Sequence, residues 1–509
     1  MKKAPLELGL VVIGLLALSA GATALVNHFG WTLYYGDAEA HLNIARRIFD
    51  SRTPGYDQIG TVWLPLPHLL SLALVWKDAW WRNGLAGAVP SSACFVLAGA
   101  FLFSAMRRAT QSSSAALASL GLLALNPNLL YLQSTPMTEP VSLACILALL
   151  YFTIRFRETQ SFTAVVGAGA ASLAASLTRY EGWFLIPFVA VYFLCAARRR
   201  RIVVALVFTL IAALGPLFWL AHNWWLYSNP LEFINGPYSA RSIYQRTLDQ
   251  HIRPYPGDRD WRQAWLFFRT AARMCAGWGV VAAALAGIAG VIWKRVFWPV
   301  CFAALLPVFY LWSMHSGGTP IYVPQLWFNS YYNTRYGLAA LPLLAIAGGC
   351  LVLVAGQRWR PFVAAAIVLA GLTPWLARPH PEAWVCWKES QVNSEARRAW
   401  TRQAADFLVS QYRPGQGIIT SFGDLAGIFR EAGIPLRETL HQGNVLPWIF
   451  ATTRPDLFLH QRWAVAISGD EVASTVQRAT LKTGPRYHLV RTIVIPGAPV
   501  IEIYKRDDT

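Results

Sequence analysis

Acidic and basic side chains crowd into one short stretch of this chain, YYGDAEAHLNIARRIFDS at residues 34–51, although the sequence as a whole is rich in apolar residues. Asp37 and Glu39 stand two residues apart in it. Carboxylates at this spacing could act as a general base or could bind a divalent cation. A structural role competes with both, because Asp37 precedes a run of helical periodicity, where an N-cap or a first-turn acid stabilises the helix.

Two further motifs place ionisable residues beside apolar segments. TPMTEP has Glu139 at the start of one such segment, and TRYEGW has Arg179 and Glu181 just before another. Ionisable residues at membrane depth are energetically expensive, so they are candidates for a functional site by default. An Arg–Glu pair that only closes a helix end is the structural alternative for TRYEGW.

Arginine and tyrosine occur together in two more segments. NPLEFINGPYSARSIYQR at residues 229–246 includes Arg241 and Tyr244, and SYYNTRYGL at residues 330–338 includes Arg335 and Tyr336. A guanidinium group binds phosphate in a forked geometry, and aromatic rings accompany apolar chains, so both segments suit an amphiphilic anion. The structural alternatives are a tolerant surface loop for the first segment and an interfacial aromatic belt for the second.

Membrane-spanning helices must position these candidates. Hydrophobic residues make up 55% of the 509 residues, charged residues only 14%, and the mean hydropathy is +0.37, which excludes an ordinary soluble domain. Windows of about 20 residues predict about eleven spans. These spans lie near residues 6–28, 86–106, 114–133, 137–154, 162–178, 182–197, 202–226, 271–293, 296–313, 336–356 and 361–377.

Basic residues indicate the orientation of the spans, because short cytoplasmic loops retain Lys and Arg. The loops 29–85 and 227–270 and the C-terminal tail are therefore predicted to be extracytoplasmic. The basic fringe also explains much of the formal net charge of +18, so the charge gives no reason to expect a nucleic-acid partner. The residues at every second span boundary are Lys2, Lys3, Arg107, Arg108, Arg155, Arg157, Arg198 to Arg201, Lys294, Arg295, Arg358 and Arg360.

The C-terminal tail alternates between helical and strand patterns. A helical pattern at 394–412 precedes strand-like runs, which are GIITS at 417–421, WAVAIS at 463–468, YHLVRTIVI at 487–495 and VIEIYKR at 500–506. The sequence therefore predicts a polytopic α-helical membrane domain at 1–377 and a small α/β domain at 378–509. Six of the seven cysteines fall in predicted spans and Cys386 stands alone in the tail, so no disulfide framework is indicated.

The stretch around Asp37 predicts an amphipathic helix. Ala38, Leu42, Ala45 and Phe49 recur at helical spacing and form an apolar stripe, and the nearby arginines lie off that stripe. We expect this helix to lie along the membrane surface, with its arginines directed toward lipid headgroups if they have no other role.

Five short motifs occur in a fixed order and on one predicted side of the membrane. GDAEAH, TEP, TRYEGW, NPLEF…GPYSA and YYNTRYGL together resemble bacterial members of the GT-C glycosyltransferase superfamily, of the protein O-mannosyltransferase and aminoarabinose transferase type. The resemblance covers residues 1–377. It implies a polyprenyl-phosphate-linked sugar as donor, because nucleotide sugars are cytoplasmic and the predicted site faces outward. The tail resembles the extracytoplasmic domains of such enzymes at fold level.

The resemblance also implies roles for the candidate residues. Asp37, with Glu39 beside it, would take the proton from an acceptor hydroxyl that attacks the anomeric carbon with inversion. Arg335, and after it Arg241, would stabilise the departing lipid phosphate. The remaining candidates would line the donor cavity, and they are Glu139, Arg179, Glu181, Tyr244 and Tyr336. The acceptor could be a protein, a lipid or a glycan, and the implied location is the bacterial inner membrane.

No cofactor is required by this interpretation, although a divalent metal stays open. Asp37 and Glu39 could hold one, as in metal-dependent GT-C relatives. The sequence departs from the adjacent acidic pair of those relatives by inserting Ala38, and we expect no metal.

Three other functions compete with a monosaccharide transferase. A transporter or flippase of lipid-linked sugars would place charges near the bilayer midplane and often has repeated halves, whereas here charges lie at span ends and no repeat is found. A ligase that transfers a whole glycan differs from a monosaccharide transferase only by family likeness. A non-catalytic membrane scaffold would not need the outward polar cluster.

The orientation gives a direct test. We expect reporter tags inserted after Arg201 and after Arg295 to be cytoplasmic, because both follow basic clusters. Cysteines introduced within residues 235–260 or at exposed positions in the tail should react with a membrane-impermeant thiol reagent added to intact cells. A tail that is protected in intact cells and reacts only after lysis would overturn the assignment of the active face.

Overall fold

The structure, a computed structural model, is mostly helical and describes residues 3–251, 253–481 and 484–507. Lys2, one of the basic residues that indicated the orientation, lies outside the described residues. The chain divides into two compact units. Unit 1 comprises residues 1–29, 61–67 and 88–389, and unit 2 comprises residues 30–60, 68–87 and 390–509.

Unit 1 is built from helices. Its 3₁₀ turns are Thr334–Ala340, Leu351–Val354, Gln357–Trp359 and Pro381–Ala383. Its α-helices are Lys3–His28, Leu85–Thr110, Ser113–Ala124, Pro127–Gln133, Glu139–Thr159, Phe162–Ser176, Glu181–Ala196, Arg201–Tyr227, Glu232–Asn235, Ala240–Asp249, Trp261–Ala276, Trp278–Lys294, Phe297–His315, Leu341–Cys350 and Arg360–Ala377, of which Leu85–Thr110 begins in unit 2.

Seven helices among the described residues are long and apolar enough to cross a membrane, or up to nine if each of two bent pairs is one span. Each of the predicted spans overlaps a helix, a helix continued by a 3₁₀ turn, or a bent pair. Two of these helices, Phe162–Ser176 and Glu181–Ala196, are apolar but shorter than a membrane-crossing helix is required to be. The total of eleven therefore stays a prediction.

The two bent pairs have local causes. Asn126 caps the helix Pro127–Gln133, because its side chain accepts hydrogen bonds from the N–H groups of Asn128 and Leu129, and the chain turns by 67° there. Gly277, with φ +84°, separates Trp261–Ala276 from Trp278–Lys294 at a bend of 105°. Hydropathy does not register either break, because a window of about 20 residues averages over it.

Unit 2 combines short helices with a five-stranded sheet. The strands are β1 (Ile418–Thr420), β2 (Thr439–Leu440), β3 (Trp463–Ile467), β4 (Tyr487–Ile493) and β5 (Ile501–Arg506). Its 3₁₀ turns are Tyr56–Ile59, Leu436–Glu438 and Gln442–Asn444. Its α-helices are Gly36–Arg47, Leu66–Val75, Asp78–Asn83, Val385–Gln411, Phe422–Ala432, Leu446–Thr453, Pro455–Phe458 and Glu471–Leu481, of which Leu66–Val75 and Val385–Gln411 begin in unit 1.

The sheet has the order β2-β1-β3-β5-β4. The pairs β1–β2 and β1–β3 are parallel, and the helix Phe422–Ala432 forms the crossover that a parallel neighbour requires. β5 pairs antiparallel with both β3 and β4. Successive residues of β3 belong to different hydrophobic clusters, Trp463 and Val465 to one and Ala464 to the other, so the sheet is covered on both faces.

The helix Gly36–Arg47 belongs to unit 2, a grouping that the sequence did not predict. Ala38, Leu42 and Ala45 are fully buried, and the latter two lie in the cluster that covers one face of the sheet. Arg46 is also buried, and it forms ion pairs with Asp50 (2.7 Å) and Asp78 (2.6 Å). Most of the apolar stripe therefore packs against protein, and the burial and pairing of Arg46 contradict the expectation that this side chain is directed toward lipid headgroups. The position of the helix along the membrane stays a prediction.

The cysteines affect how the orientation can be tested. Cys386 is fully buried, so an impermeant reagent would not reach it in the folded protein. Leu481 is 85% exposed and is a suitable position in the tail for an introduced cysteine.

Candidate functional site

Unit 1 contains a small cavity with a volume of about 50 Å³. Most of its wall is apolar, and its polar side chains are gathered together. The apolar wall consists of Leu123, Leu129, Leu143, Ile146, Leu306, Leu338, Ala339, Leu341 and Pro342. The other lining residues are Glu139, Ser142, Arg179, Glu181, Tyr310, Arg335 and Tyr336.

Arg179 is held in a closed network just before the helix Glu181–Ala196. Its Nε donates to Glu181 Oε1 at 2.6 Å, its Nη1 to Thr138 Oγ1 at 2.7 Å, and its Nη2 to the Tyr310 hydroxyl at 2.7 Å. The Tyr310 hydroxyl in turn donates to Glu181 Oε1 at 3.1 Å. The guanidinium group is therefore oriented by three different parts of the chain.

Arg335 lies in the 3₁₀ turn Thr334–Ala340, where a membrane helix begins. Glu389 caps this turn, because its carboxylate accepts hydrogen bonds from the backbone N–H groups of Thr334 (3.2 Å) and Arg335 (3.0 Å). Glu389 Oε1 also lies 3.8 Å from Arg335 Nη1, and its side chain is only 1% exposed. The sequence analysis missed Glu389, since it is more than 50 residues away and no motif marks it.

Glu139 lies between the two arginines. Its Oε1 accepts from Arg179 Nη1 at 3.3 Å and from Arg335 Nε at 3.2 Å. Both guanidinium groups also lie over the ring of Tyr336, at 5.1 Å and 4.9 Å from its centroid. The structure thus brings together five of the predicted residues, which are Glu139, Arg179, Glu181, Arg335 and Tyr336.

Arg241 and Tyr244 do not line this cavity. Both belong to the helix Ala240–Asp249, which has no buried residue. The Tyr244 hydroxyl donates to Asp258 Oδ2 at 3.1 Å and accepts from the backbone N–H of Tyr255 at 3.0 Å, so it ties one loop together. Arg241 is exposed.

Asp37 and Glu39 lie in unit 2, on the helix Gly36–Arg47. Asp37 is the second residue of the helix and is half-buried, so it is a first-turn acid and not the N-cap, which is Tyr35. Glu39 is almost fully buried. Its Oε2 accepts from Arg397 Nη1 and its Oε1 from Arg430 Nε, both at 2.9 Å.

The two arginines fix the segment that bears Asp37. Arg397 Nη2 also donates to the backbone carbonyl of Tyr34 at 2.8 Å, immediately before the helix begins. Gly427 permits the close approach of Glu39, because a Cβ at that position would lie 2.7 Å from Glu39 Oε1. Both arginines escaped the sequence analysis, since each is more than 350 residues from Glu39.

A pair of histidines, His41 on the same helix and His68 on the helix Leu66–Val75, was also missed. His41 Nδ1 and His68 Nε2 are 2.9 Å apart, and both rings are buried. Burial, reinforced by the nearby His41 and Arg47, lowers the pKa of His68 well below its usual value. The His68 ring is therefore neutral at pH 7, and it is hydrogen-bonded to His41, which lies one helical turn beyond Asp37.

A metal site is not evident among the described residues, where no group of three or more His, Cys, Asp and Glu side chains could hold an ion. The expectation that Asp37 and Glu39 bind no metal ion stays a prediction. Glu39 uses both carboxylate oxygens for arginines.

Comparison with protein families gives one match. Residues 80–225 match the sequence model of the dolichyl-phosphate-mannose-protein mannosyltransferase family. The matched segment includes Glu139, Arg179 and Glu181, but it ends before Arg335 and begins after Asp37. No curated protein is similar enough in sequence to count as a match.

Solved structures match over nearly the whole chain. ArnT from Cupriavidus metallidurans, bound to undecaprenyl phosphate, is 13% identical, with a TM-score of 0.53 over 94% of this chain and 97% of that chain. The same protein in the apo state gives 14% identity, the same coverage and a TM-score of 0.54. The chain has the fold of ArnT. An oligosaccharyltransferase from Archaeoglobus fulgidus is 13% identical, with a TM-score of 0.46 over 90% of this chain and 69% of that chain.

The resemblance to GT-C glycosyltransferases is confirmed by these findings, since the family model and the ArnT fold point to the same superfamily. The fold is mostly helical, with helices that are long and apolar enough to cross a membrane, and it is similar to that of ArnT.

The pairing of Glu39 gives a prediction about stability. Glu39→Ala should lower the free energy of unfolding by about 3–5 kcal/mol, because it leaves two buried guanidinium groups without their carboxylate. Glu431→Ala is the matched control, since Glu431 pairs with Arg402 at 3.9 Å and both side chains are exposed. Its cost should be below about 1 kcal/mol. Thermal unfolding of the full-length protein in detergent measures the loss of stability in both variants. Equal unfolding midpoints for the two variants would contradict the structural role of Glu39.

Proposed function

We propose that this protein is an inverting glycosyltransferase, which moves a sugar from a polyprenyl-phosphate carrier to an acceptor hydroxyl on the extracytoplasmic side of the bacterial inner membrane. One observation carries the proposal: Arg179 and Arg335 share Glu139 on the wall of an otherwise apolar cavity. The ArnT fold supports it, because that protein was solved with undecaprenyl phosphate bound.

The cavity suits the two chemical halves of such a donor. Leucine and proline side chains provide an apolar wall for an isoprenoid chain. The arginines offer forked donors to a phosphate, and such charge-assisted bonds are stronger than neutral ones. Arg335 is the first candidate for the phosphate, with Arg179 beside it and Arg241 as a further candidate.

Asp37 is proposed as the catalytic base. An aspartate is a weak base, but proton transfer from the acceptor hydroxyl can occur late, after positive character has built up on the attacking oxygen. The new C–O bond forms on the face opposite to the bond that breaks, so the anomeric configuration inverts. The lipid phosphate leaves as an anion, and arginine contacts that strengthen during departure lower the barrier. Glu39, tied to Arg397 and Arg430, would hold the helix that presents Asp37.

Two alternative functions predict different products. A flippase would move a lipid-linked sugar across the membrane without breaking its glycosidic bond. A glycan ligase would transfer a whole oligosaccharide and leave a polyprenyl carrier. These functions are distinguished by an assay of the purified protein in vesicles, with a labelled polyprenyl-phosphate monosaccharide as donor and an envelope extract as acceptor source. Labelled sugar in a new product, together with bare polyprenyl phosphate, supports the transferase.

The role of Asp37 is tested by Asp37→Asn, which keeps the size of the side chain. Transfer should fall by about a hundredfold or more, as expected for loss of a general base, whereas folding and donor affinity should be retained. Asp57→Asn, in an exposed part of the same loop, is the control and should transfer normally. Near-normal turnover of Asp37→Asn in the vesicle assay would show that Asp37 only supports its helix.

Arg335 is tested by its alanine and lysine variants. Arg335→Ala should lower both donor affinity and the transfer rate constant by roughly tenfold to a hundredfold, the value of a charged hydrogen bond. Arg335→Lys should rescue only in part, because it restores the charge without the fork. Arg246→Ala, which alters an exposed arginine, is the control. Full activity of Arg335→Ala would indicate that Arg241 or Arg179, and not Arg335, binds the donor phosphate.

A further inference from the structure

We infer that Glu139 lets the site distinguish the sugar-loaded donor from the spent carrier, by accepting a hydroxyl of the sugar and by repelling the bare phosphate. The inference rests on the proposed function and deepens it. It assigns to one carboxylate both a contact that favours the substrate and a charge that favours release of the product.

The ion pairs around the cavity leave Glu139 as a surplus negative charge. Arg179 has its own carboxylate in Glu181, at 2.6 Å. Arg335 also has a carboxylate of its own, that of Glu389, which accepts hydrogen bonds from two backbone N–H groups and lies near the guanidinium group. Glu139 is the third carboxylate for two arginines, and its two bonds to them, 3.2 Å and 3.3 Å, are long for charged pairs.

One oxygen of Glu139 has no partner within the described part of the chain. Oε1 bridges the arginines, whereas Oε2 is buried and accepts no hydrogen bond. A buried carboxylate oxygen without a donor is costly, so this atom is suited to a ligand that carries a hydroxyl or another donor. Glu139 lines the cavity, and its side chain is only 12% exposed.

The position of Glu139 fits a sugar hydroxyl in particular. In the donor the sugar is joined to the phosphate through a single oxygen, so a group that binds the sugar must lie beside the groups that bind the phosphate. Glu139 meets this requirement, because it contacts both Arg179 and Arg335 directly. A phosphate on the arginines would therefore bring its sugar close to the Glu139 carboxylate, whose Oε2 has no hydrogen-bond partner among the described residues.

The same charge acts oppositely on the product. The donor is a phosphodiester with one negative charge, whereas the spent carrier is a phosphate monoester with about −1.5 to −2 charges at pH 7. In a site of low dielectric, the extra charge beside Glu139 is repelled more strongly than in water. The spent carrier also lacks the sugar hydroxyl that would bond to Oε2. Both the repulsion and the missing hydrogen bond therefore weaken its binding.

The inferred role of Glu139 is tested by measuring the affinity of the full-length protein in nanodiscs for three lipid probes of equal chain length. They are polyprenyl phosphate, its methyl diester, and its glycosyl diester, taken as the glucosyl, mannosyl or arabinosyl form that the wild-type protein binds best. The methyl diester carries the charge of the donor without its hydroxyls, so it separates the two effects.

Glu139→Gln is the main variant. The arginines should attract the amide oxygen, which leaves the amide NH₂ where Oε2 was, so an acceptor is replaced by a donor. We expect its affinity for polyprenyl phosphate to rise about tenfold and the preference for the glycosyl over the methyl diester to fall about tenfold. Glu139→Asp should keep the discrimination against the monoester but lose the preference for the glycosyl diester, because the shorter side chain withdraws the oxygen.

Glu181→Gln is the matched control in the same cavity. Glu181 is paired through Arg179 and Tyr310, so its variant should alter the affinity for all three probes without removing the preference for the glycosyl diester. An unchanged preference in both Glu139 variants, or an equal loss in Glu181→Gln, would overturn the inference while the proposed function stands. If the wild-type protein binds none of the probes, the proposed function fails and the inference with it.

Discussion

A guanidinium group placed in an apolar cavity wall must be paired, and this requirement governs the arrangement of unit 1 around the candidate site. Arg179 and Arg335 come from segments more than 150 residues apart, and both meet Glu139. Charges in such surroundings are tolerated only with good geometry and further hydrogen bonds. Thr138, Tyr310, Glu181 and the ring of Tyr336 provide these. The same contacts that make the charges tolerable also fix their directions, which is what a binding site needs.

The same principle operates independently in unit 2. Glu39 draws together Arg397 from the long helix Val385–Gln411 and Arg430 from the crossover helix of the sheet. Arg46, with Asp50 and Asp78, does the same among residues of the first loop. The helix that bears Asp37 is thus anchored by buried ion pairs as well as by its apolar stripe. If Asp37 is the base, as proposed, such a support would reduce the entropy that it loses when it meets its substrate.

The sequence predicted the parts of this protein that depend on local pattern. Hydropathy located the membrane helices, and the motifs TEP, TRYEGW and NTRYGL indicated Glu139, Arg179, Glu181 and Arg335, which meet at one cavity. Features that depend on pairing between distant residues were not predictable in the same way. Glu389 carries no motif, and hydropathy windows average over the two breaks at Asn126 and Gly277. The membership of the Asp37 helix in unit 2 is likewise decided by Arg397 and Arg430, whose partner Glu39 cannot be read from spacing.

A site assembled from internal ion pairs has a consequence for how an anion binds. Because Arg335 and Arg179 are already partly neutralised by carboxylates, a phosphate gains less from them than it would from free arginines, and some of their internal pairing must loosen. Charge alone would then give modest affinity, and much of the free energy of binding would come from burial of an isoprenoid chain against the leucine-rich wall. Such a division of labour suits a carrier lipid, which must bind in both its loaded and spent forms and yet leave after each turnover. Under the proposed function, the lipid chain, which is common to both forms, would supply affinity, and the charged cluster would supply the difference in affinity between them.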